Sequence, residues 1–443
     1  MSNKRKGLVF EVDISGISHE GRGVAHHEEK VVFVDGALKG ERVKVRLTKP
    51  HRRFDEAEVI DVLRASPDRV EARCAHFGLC GGCSLQHMRE EAQIGAKQDV
   101  LLDNLRQLGK VEPETLLPPL TGPLWGYRRR ARLGVKWVPK KGKVLVGFRE
   151  RGSPYLAELN RCEVLDPSVG GRLQELSALI AGMDARERLP QIEVAVGDDC
   201  TALVFRHMDP LSPADRDRLI AYAQATGLHL FLQPAGPDSV HRLWPETGEL
   251  YYTHPEHQVR IDFQPVDFTQ INGEINRRMV SLALALLDPQ ADETVLDLFA
   301  GLGNFTLPLA RRARAVVGVE VDEPMVRRGE ESARRNNIGN TRHHVGNLFE
   351  PDPAQPWMQE HYDKILIDPP RAGAMEIMPH LARMNAQRMV YVSCNPATLA
   401  RDAGILVNEY GWHLRAAGVM DMFPHTAHVE SIAVFEPGKK RRS

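Results

Sequence analysis

The chain has 443 residues, room for about three domains at roughly 150 residues each. Its 58 Lys and Arg against 59 Asp and Glu leave a formal charge of −1, which argues against nucleic acid only if the charge is spread evenly. No membrane span is expected, since the longest apolar run, Met279–Leu287, is broken by Ser281 and a span needs about 20 residues; nor is a disulfide scaffold, with six cysteines in all.

The N-terminal MSNKRKGLVFEVD meets Glu11 and Asp13 before any apolar stretch, so it is not a secretory signal and a cytoplasmic protein is expected. Residues 1–66 read as all-β. Leu8–Ile14, Val31–Val34, Val43–Leu47 and Ala57–Leu63 alternate Val with polar residues, with glycine-bearing turns between them. Short strands at this density predict a small OB-like barrel.

Residues 67–265 form a second segment. It opens with Cys74, Cys80 and Cys83 in C-x5-C-x2-C, where Gly78, Gly81 and Gly82 let the chain wrap closely. Cys162 is the nearest candidate for a fourth thiolate. The set fits either zinc or a [4Fe–4S] cluster, and the single close pair with two outliers favours the cluster. Clustered thiols in a reducing compartment bind metal more often than they form disulfides. Apolar spacing predicts a helix over Arg89–Leu108, ending at Gly109 and available to pack on the catalytic domain. Strands follow at Ala131–Val138, Val144–Arg149, Gln191–Val196, Thr201–Phe205 and His229–Gln233. Between 128 and 151, ten basic residues face only Glu150, and 44–53 holds five with no acid. Trp125, Tyr127 and Trp137 lie in or beside the larger stretch, a pattern suited to phosphate contact and base stacking.

Residues 266–443 alternate helix and strand, which predicts a doubly wound, mainly parallel sheet. The run VLDLFAGLGNFTLPLA, 295–310, is strand, glycine loop and helix. Its D-x-F-x-G-x-G pattern lacks a phosphate-binding lysine, so the ligand need carry no pyrophosphate. Glu320 ends the next strand, where an acid bonds ribose hydroxyls, and Asn347 follows the third strand within reach of an adenine edge. Together these favour S-adenosylmethionine. Asp368-Pro-Pro-Arg371 and Ser393-Cys394-Asn395-Pro396 end two further strands on the same side. Pro396 suits a helix start, whose partial positive charge lowers a neighbouring thiol's pKa. A thiolate beside a methyl donor adds to C6 of a uracil and makes C5 nucleophilic. A base must then take the C5 proton, and spacing leaves His425, His428 and Glu430 open. The basic tail KKRR, 439–442, is expected to be disordered.

C-x5-C-x2-C, DFTQIN at 267–272, LDLFAGLGNFTLP, IDPPRAG, YVSCNPATLARD and HVES together resemble the bacterial RNA 5-methyluridine methyltransferases. The N-terminal segment is similar to a TRAM domain, and the whole resembles the 23S rRNA (uracil-C5-)-methyltransferase branch of that family. The resemblance implies a Rossmann-like class I methyltransferase fold and methylation of a uridine in 23S rRNA. It implies Cys394 as nucleophile and Glu430 as base. It implies Gln270, Phe299, Asn304, Glu320, Asn347 and Asp368 around S-adenosylmethionine, and a [4Fe–4S] cluster on Cys74, Cys80, Cys83 and Cys162. One departure is Ala300, where members often carry Cys. No obligate protein partner is evident, and a monomer is expected. The same chemistry on a tRNA or another rRNA uridine, or an inactive RNA-binding scaffold, are the alternatives; the intact Cys394, Asp368 and glycine loop speak against the last.

Overall fold

The computed structural model describes residues 5–438; the 439–442 tail lies outside them. The chain divides into two compact units. Among the described residues, the first holds 5–100, 148–157 and 423–428, and the second holds 101–147, 158–422 and 429–438. Residues 67–100 thus fall with the N-terminal strands. Residues 101–147 and 158–265 fall with the catalytic sheet.

The first unit is built on a six-stranded sheet in the order Val9–Asp13, Arg42–Pro50, Phe54–Arg64, Lys30–Asp35, Gly23–His27, Gly16–Ile17. Alternation sets its faces: Val43, Val45 and Leu47 are buried while Lys44 and Arg46 point to solvent. The inward residues form one cluster that includes Val12, Ala25, Val32, Val34 and Ala57. The glycine-bearing turn GISHEGRG, 16–23, holds the short strand Gly16–Ile17, and the strand Gly23–His27 starts at its last glycine.

The second unit carries two larger sheets. One has the order His241–Trp244, His229–Gln233, Thr201–Arg206, Gln191–Val196, Arg130–Val138, Lys143–Gly147. It also bears helices Leu173–Ala181 and Pro213–Thr226, which the strand-rich reading did not anticipate. The other is the catalytic sheet. Its strands are β1 (Thr294–Leu298), β2 (Ala315–Glu320), β3 (Thr341–Val345), β4 (Lys364–Ile367), β5 (Arg388–Ser393), β6 (Trp412–Met420) and β7 (Glu430–Pro437). Their order is β3-β2-β1-β4-β5-β7-β6, with Thr115–Leu116 added at the edge. β1 to β5 run parallel, and β7 is antiparallel to both neighbours. The sheet is doubly wound, as the alternation predicts.

Helix α1 (Gly273–Leu287) is capped by Asn272, whose side chain accepts from the Ile275 N–H at 3.2 Å. It buries Ile275, Met279, Val280, Ala283, Leu284 and Leu287, one helical stripe. Helices α2 (Thr306–Ala310), α3 (Glu323–Arg335), α4 (Met378–Leu381) and α5 (Pro396–Gly404) follow β1, β2, β4 and β5. The predicted helix near 89–108 runs as α-helix over Glu90–Asn104 and widens to a π-helical turn over Leu105–Gly109. Gly109 is not its left-handed cap; Lys110 is, at φ 54°. Gly109 is required by packing, because a Cβ there would sit 2.4 Å from the Ala400 carbonyl oxygen on α5. Among the described residues, no helix is long and apolar enough to cross a membrane.

Candidate active site

The carboxyl ends of β1, β2, β4 and β5 converge, which is where open α/β sheets bind ligands. Register brings Leu298 level with Val319 and Ile367, and Ile367 level with Tyr391. Phe299, Glu320, Asp368 and Cys394 therefore emerge on one side.

Phe299 leaves β1 at φ 62°, a left-handed conformation that costs a bulky residue roughly 1–3 kcal/mol. The glycine loop follows, with Gly301 at φ 55° and Gly303 at φ 90°. Glu320 shapes that loop: its carboxylate accepts the Gly301 N–H at 3.0 Å, Val321 N–H at 2.8 Å and Asp322 N–H at 3.1 Å. A carboxylate offers about four lone-pair positions, so capacity remains for one further donor such as a hydroxyl.

Asp297, one turn of the pattern earlier, is fully buried. It accepts the Thr306 hydroxyl at 2.5 Å through Oδ2, while Oδ1 has no partner among the described residues. Burial, helped by the Asp368 and Glu320 charges, pushes its carboxyl up to about 7. No role was assigned to it from the sequence, although its place in D-x-F-x-G marked it.

Cys394 lies one residue before Asn395, the N-cap of α5, whose side chain accepts the Ala397 N–H at 3.1 Å. The helix start is where Pro396 put it, but the thiol is not acidified. Burial, then the Glu430 and Asp368 charges, push it up to about 11, and Arg371 only partly offsets them. A helix terminus contributes about half a charge, less than two nearby carboxyls and the loss of water.

Glu430 is the first residue of β7. The β5–β7 ladder pairs Ser393 with Ser431, so the next pair outward is Cys394 opposite Glu430. Glu430 is 3% exposed, and burial and the Asp368 charge hold its carboxyl well above the usual range. Burial lifts Asp368 to about 7, and Gln270 Nε2 lies 3.4 Å from its Oδ2. His425 and His428 belong to the first unit. The His425 ring and backbone N–H are both engaged by Gln93.

Two expected ligand-lining residues have protein partners of their own. Asn304 Oδ1 already receives the Tyr252 hydroxyl, His254 Nε2 and Asn276 Nδ2 at 3.0–3.1 Å, and its Nδ2 donates to Asn276. Its side chain is largely committed to fixing the loop. Asn347 is exposed past β3, where its Oδ1 accepts the Phe349 N–H. The Phe349 ring is 5.9 Å from that of Phe299.

Cys74, Cys80 and Cys83 share one irregular loop of the first unit, and Cys162 belongs to the second. Cys80 Sγ accepts the Gly82 N–H at 3.4 Å, and the Cys74 charge is felt at Cys80. The donors are thiols alone, as an iron–sulfur cluster requires. Among the described residues, however, no three Cys, His or carboxylate groups are drawn together as they would be round a metal ion.

The basic stretches are less bare than their count suggests. Arg129 pairs with Asp198, Arg132 with Glu193, Lys141 and Lys143 with Glu158, and Arg151 with Asp35. In 44–53, Arg46 and Lys49 face Glu58 and Glu56. Among the described residues, Lys44, Arg52, Arg53, Lys136, Lys140 and Arg149 have no acid in ion-pairing range.

Sheet order and glycine loop define the class as a Rossmann-like class I methyltransferase. Family models match a TRAM domain over residues 3–60 and a tRNA (Uracil-5-)-methyltransferase over 243–345 and 358–437. The chain is 55% identical over 446 residues to the 23S rRNA (uracil(1939)-C(5))-methyltransferase RlmD of Alcanivorax borkumensis, covering 100% of both chains. It is 54% identical over 440 residues to the RlmD of Alkalilimnicola ehrlichii, covering 98% of this chain and 99% of that one. The crystal structure of Pyrococcus abyssi tRNA (uracil-54, C5)-methyltransferase in complex with S-adenosyl-L-homocysteine superposes with a TM-score of 0.74 at 21% identity, over 96% of this chain and 100% of that one, a likeness of fold. The chain belongs to the RlmD family of 23S rRNA (uracil-C5)-methyltransferases.

Proposed function

We propose that the protein transfers the methyl group of S-adenosylmethionine to C5 of a uridine in 23S rRNA, through a covalent bond between Cys394 and C6 of the base. The observation that carries this reading is that Cys394 and Glu430 each lie one residue beyond the Ser393–Ser431 pair of the β5–β7 ladder, close enough for the Glu430 and Asp368 charges to act on the thiol. Cys394 gives its thiol proton to solvent and its thiolate Sγ adds to C6. The electron pair displaced to C5 attacks the methyl carbon, whose bond to sulfur breaks. Glu430 removes the C5 proton, the C5–C6 double bond re-forms, and the Cys394 thiolate departs. Covalent addition splits one hard step into easier ones.

The methyl donor suits the pocket by charge. Asp297 feels the Asp368 and Glu320 charges, Glu430 feels Asp368 with Arg371 opposing it, and a sulfonium is a cation. Its arrival would lower the cost of ionising Cys394 and Glu430, two groups whose pKa burial raises. Phe299, the Gly301–Gly303 loop and Glu320 would hold the nucleoside, and Asn304 would act by fixing that loop. Gln270 and Asp368 would face the reacting end, with Asn347 at the adenine edge.

Cys74, Cys80, Cys83 and Cys162 would ligate a [4Fe–4S] cluster, supported by their spacing and by the Gly82 N–H bond to Cys80 Sγ. Its thiolate–iron bonds would pin an irregular loop. The N-terminal sheet would be an OB-like TRAM module, offering Lys44, Arg52 and Arg53 to phosphates.

Tritium release tests the reading. With 5-tritiated uridine in unmodified 23S rRNA, the protein should release tritium in step with methyl transfer, while tRNA should be a poor substrate. Methylation without tritium release would refute C5 as the target, and equal turnover on tRNA would refute the choice of RNA.

A further inference from the structure

The motif YVSCNPATLARD continues past the thiol into α5, and the chemistry above uses only its cysteine. The rest of the motif grips the loop after β4. Arg371 O accepts from Asn395 Nδ2 at 2.9 Å and Thr398 Oγ1 at 3.3 Å, and Ala372 O accepts from Arg401 Nη2 at 2.9 Å. Asp402 is fully buried. Its Oδ2 accepts the Ala374 N–H at 2.8 Å and the Tyr391 hydroxyl at 2.7 Å, and its Oδ1 accepts Arg401 Nε at 2.8 Å. One carboxylate therefore ties β5, the loop 371–374 and α5 together. The loop lies so close that Gly373, at φ 80°, has no space for a side chain: a Cβ would fall 2.6 Å from Arg401 Nη2 and 2.7 Å from Asp402 Oδ2.

We propose that Asp402 is a positioning residue for the methyl transfer: it fixes the loop 371–374 on the helix that follows the nucleophile, and so holds the Arg371 charge where it acts on Cys394 and Glu430. This rests on the reading of Cys394 as nucleophile. Arg371 is the cation whose charge opposes the burial of both groups. Its backbone, gripped at 371, 372 and 374, sets where that side chain starts. A buried carboxylate with three donors is expensive to disturb, and a displaced Arg371 leaves thiolate and carboxylate less stabilised.

The test uses the full chain with Asp402→Asn, Arg371→Ala and the double variant. Two readouts are taken: methyl transfer to 23S rRNA, and the pH dependence of Cys394 alkylation by iodoacetamide, followed on the Cys394 peptide. Asp402→Asn should lower kcat about tenfold or more while KM for S-adenosylmethionine stays within about twofold, the signature of a lost transition-state interaction. The alkylation midpoint should move to higher pH. In the Arg371→Ala background, Asp402→Asn should add little to either readout, because it acts through the missing guanidinium. Full additivity, or an unmoved alkylation midpoint, would overturn the proposal. If Asp402→Asn does not fold, Arg401→Gln, which removes the donor to Ala372 from a partly exposed position, carries the same test. Alkylation reads the thiol without turnover, so it separates failure here from failure of the parent reading, which would appear as undiminished methylation by Cys394→Ala.

Discussion

Asp297 offers a prediction whose size follows from its burial. Its carboxyl titrates near 7 in the folded protein against a reference of 3.8. Between those values the folded state holds a proton that the unfolded state has released. Stability therefore falls as pH rises from about 4 to about 7, and flattens above. The gap of roughly 3 units at 1.36 kcal/mol each makes the buried charge cost about 4 kcal/mol at pH 8. Asp297→Asn keeps the volume and an acceptor for the Thr306 hydroxyl but never ionises. The difference in unfolding free energy between variant and wild type should shift in the variant's favour by up to about 4 kcal/mol from pH 4 to pH 8. A constant offset of about 1–3 kcal/mol is expected where Nδ2 replaces the unpartnered oxygen, so the slope is the readout. Guanidinium unfolding followed by circular dichroism at pH 4 to 8, without methyl donor, measures it. Parallel stability curves for the two proteins would refute the argument.

Two further outcomes follow from the site and the cysteine loop. Cys394→Ala should abolish turnover while S-adenosylmethionine still binds by calorimetry, since Cys394 is not among the groups expected to hold the nucleoside; normal methylation by this variant would sink the covalent mechanism. Anaerobically purified protein should be brown, with iron and sulfide, and Cys80→Ala should lose both; a colourless, zinc-loaded and active enzyme would refute the cluster.

Much of the catalytic sheet was legible because its strands are continuous apolar runs that end in diagnostic residues. VLDL, AVVGVE, KILI and MVYV each reach the ligand side within a residue of the expected end. The Cys394–Glu430 pairing was not legible. It depends on an antiparallel register between residues 393 and 431, and spacing along the chain could not rank Glu430 above His425 or His428. Local composition likewise hid the strands at Gly16–Ile17 and Gly23–His27, which are stabilised by pairing rather than propensity. The thiol's pKa was read from the helix alone, whereas burial and two carboxyls brought in by β4 and β7 decide it. Counting charge between 128 and 151 missed Asp198, Glu193, Glu158 and Asp35, acids from other strands and loops that pair with five of its ten basic residues. The bonds that Asn304 receives from Tyr252 and His254, some fifty residues earlier, were not legible from its own loop either.

The central claim is that Cys394 bonds the base and Glu430 releases it. Glu430→Gln removes the proton acceptor and leaves the preceding steps intact, so the covalent intermediate should accumulate. Incubated with S-adenosylmethionine and a 23S rRNA fragment, this variant should give a protein–RNA species stable to SDS, with methylated uridine linked to the Cys394 peptide. Product turnover should fall by roughly a hundredfold or more, the usual range for loss of a general base. Full turnover by Glu430→Gln, or a trapped species joined through any residue other than Cys394, would contradict the account.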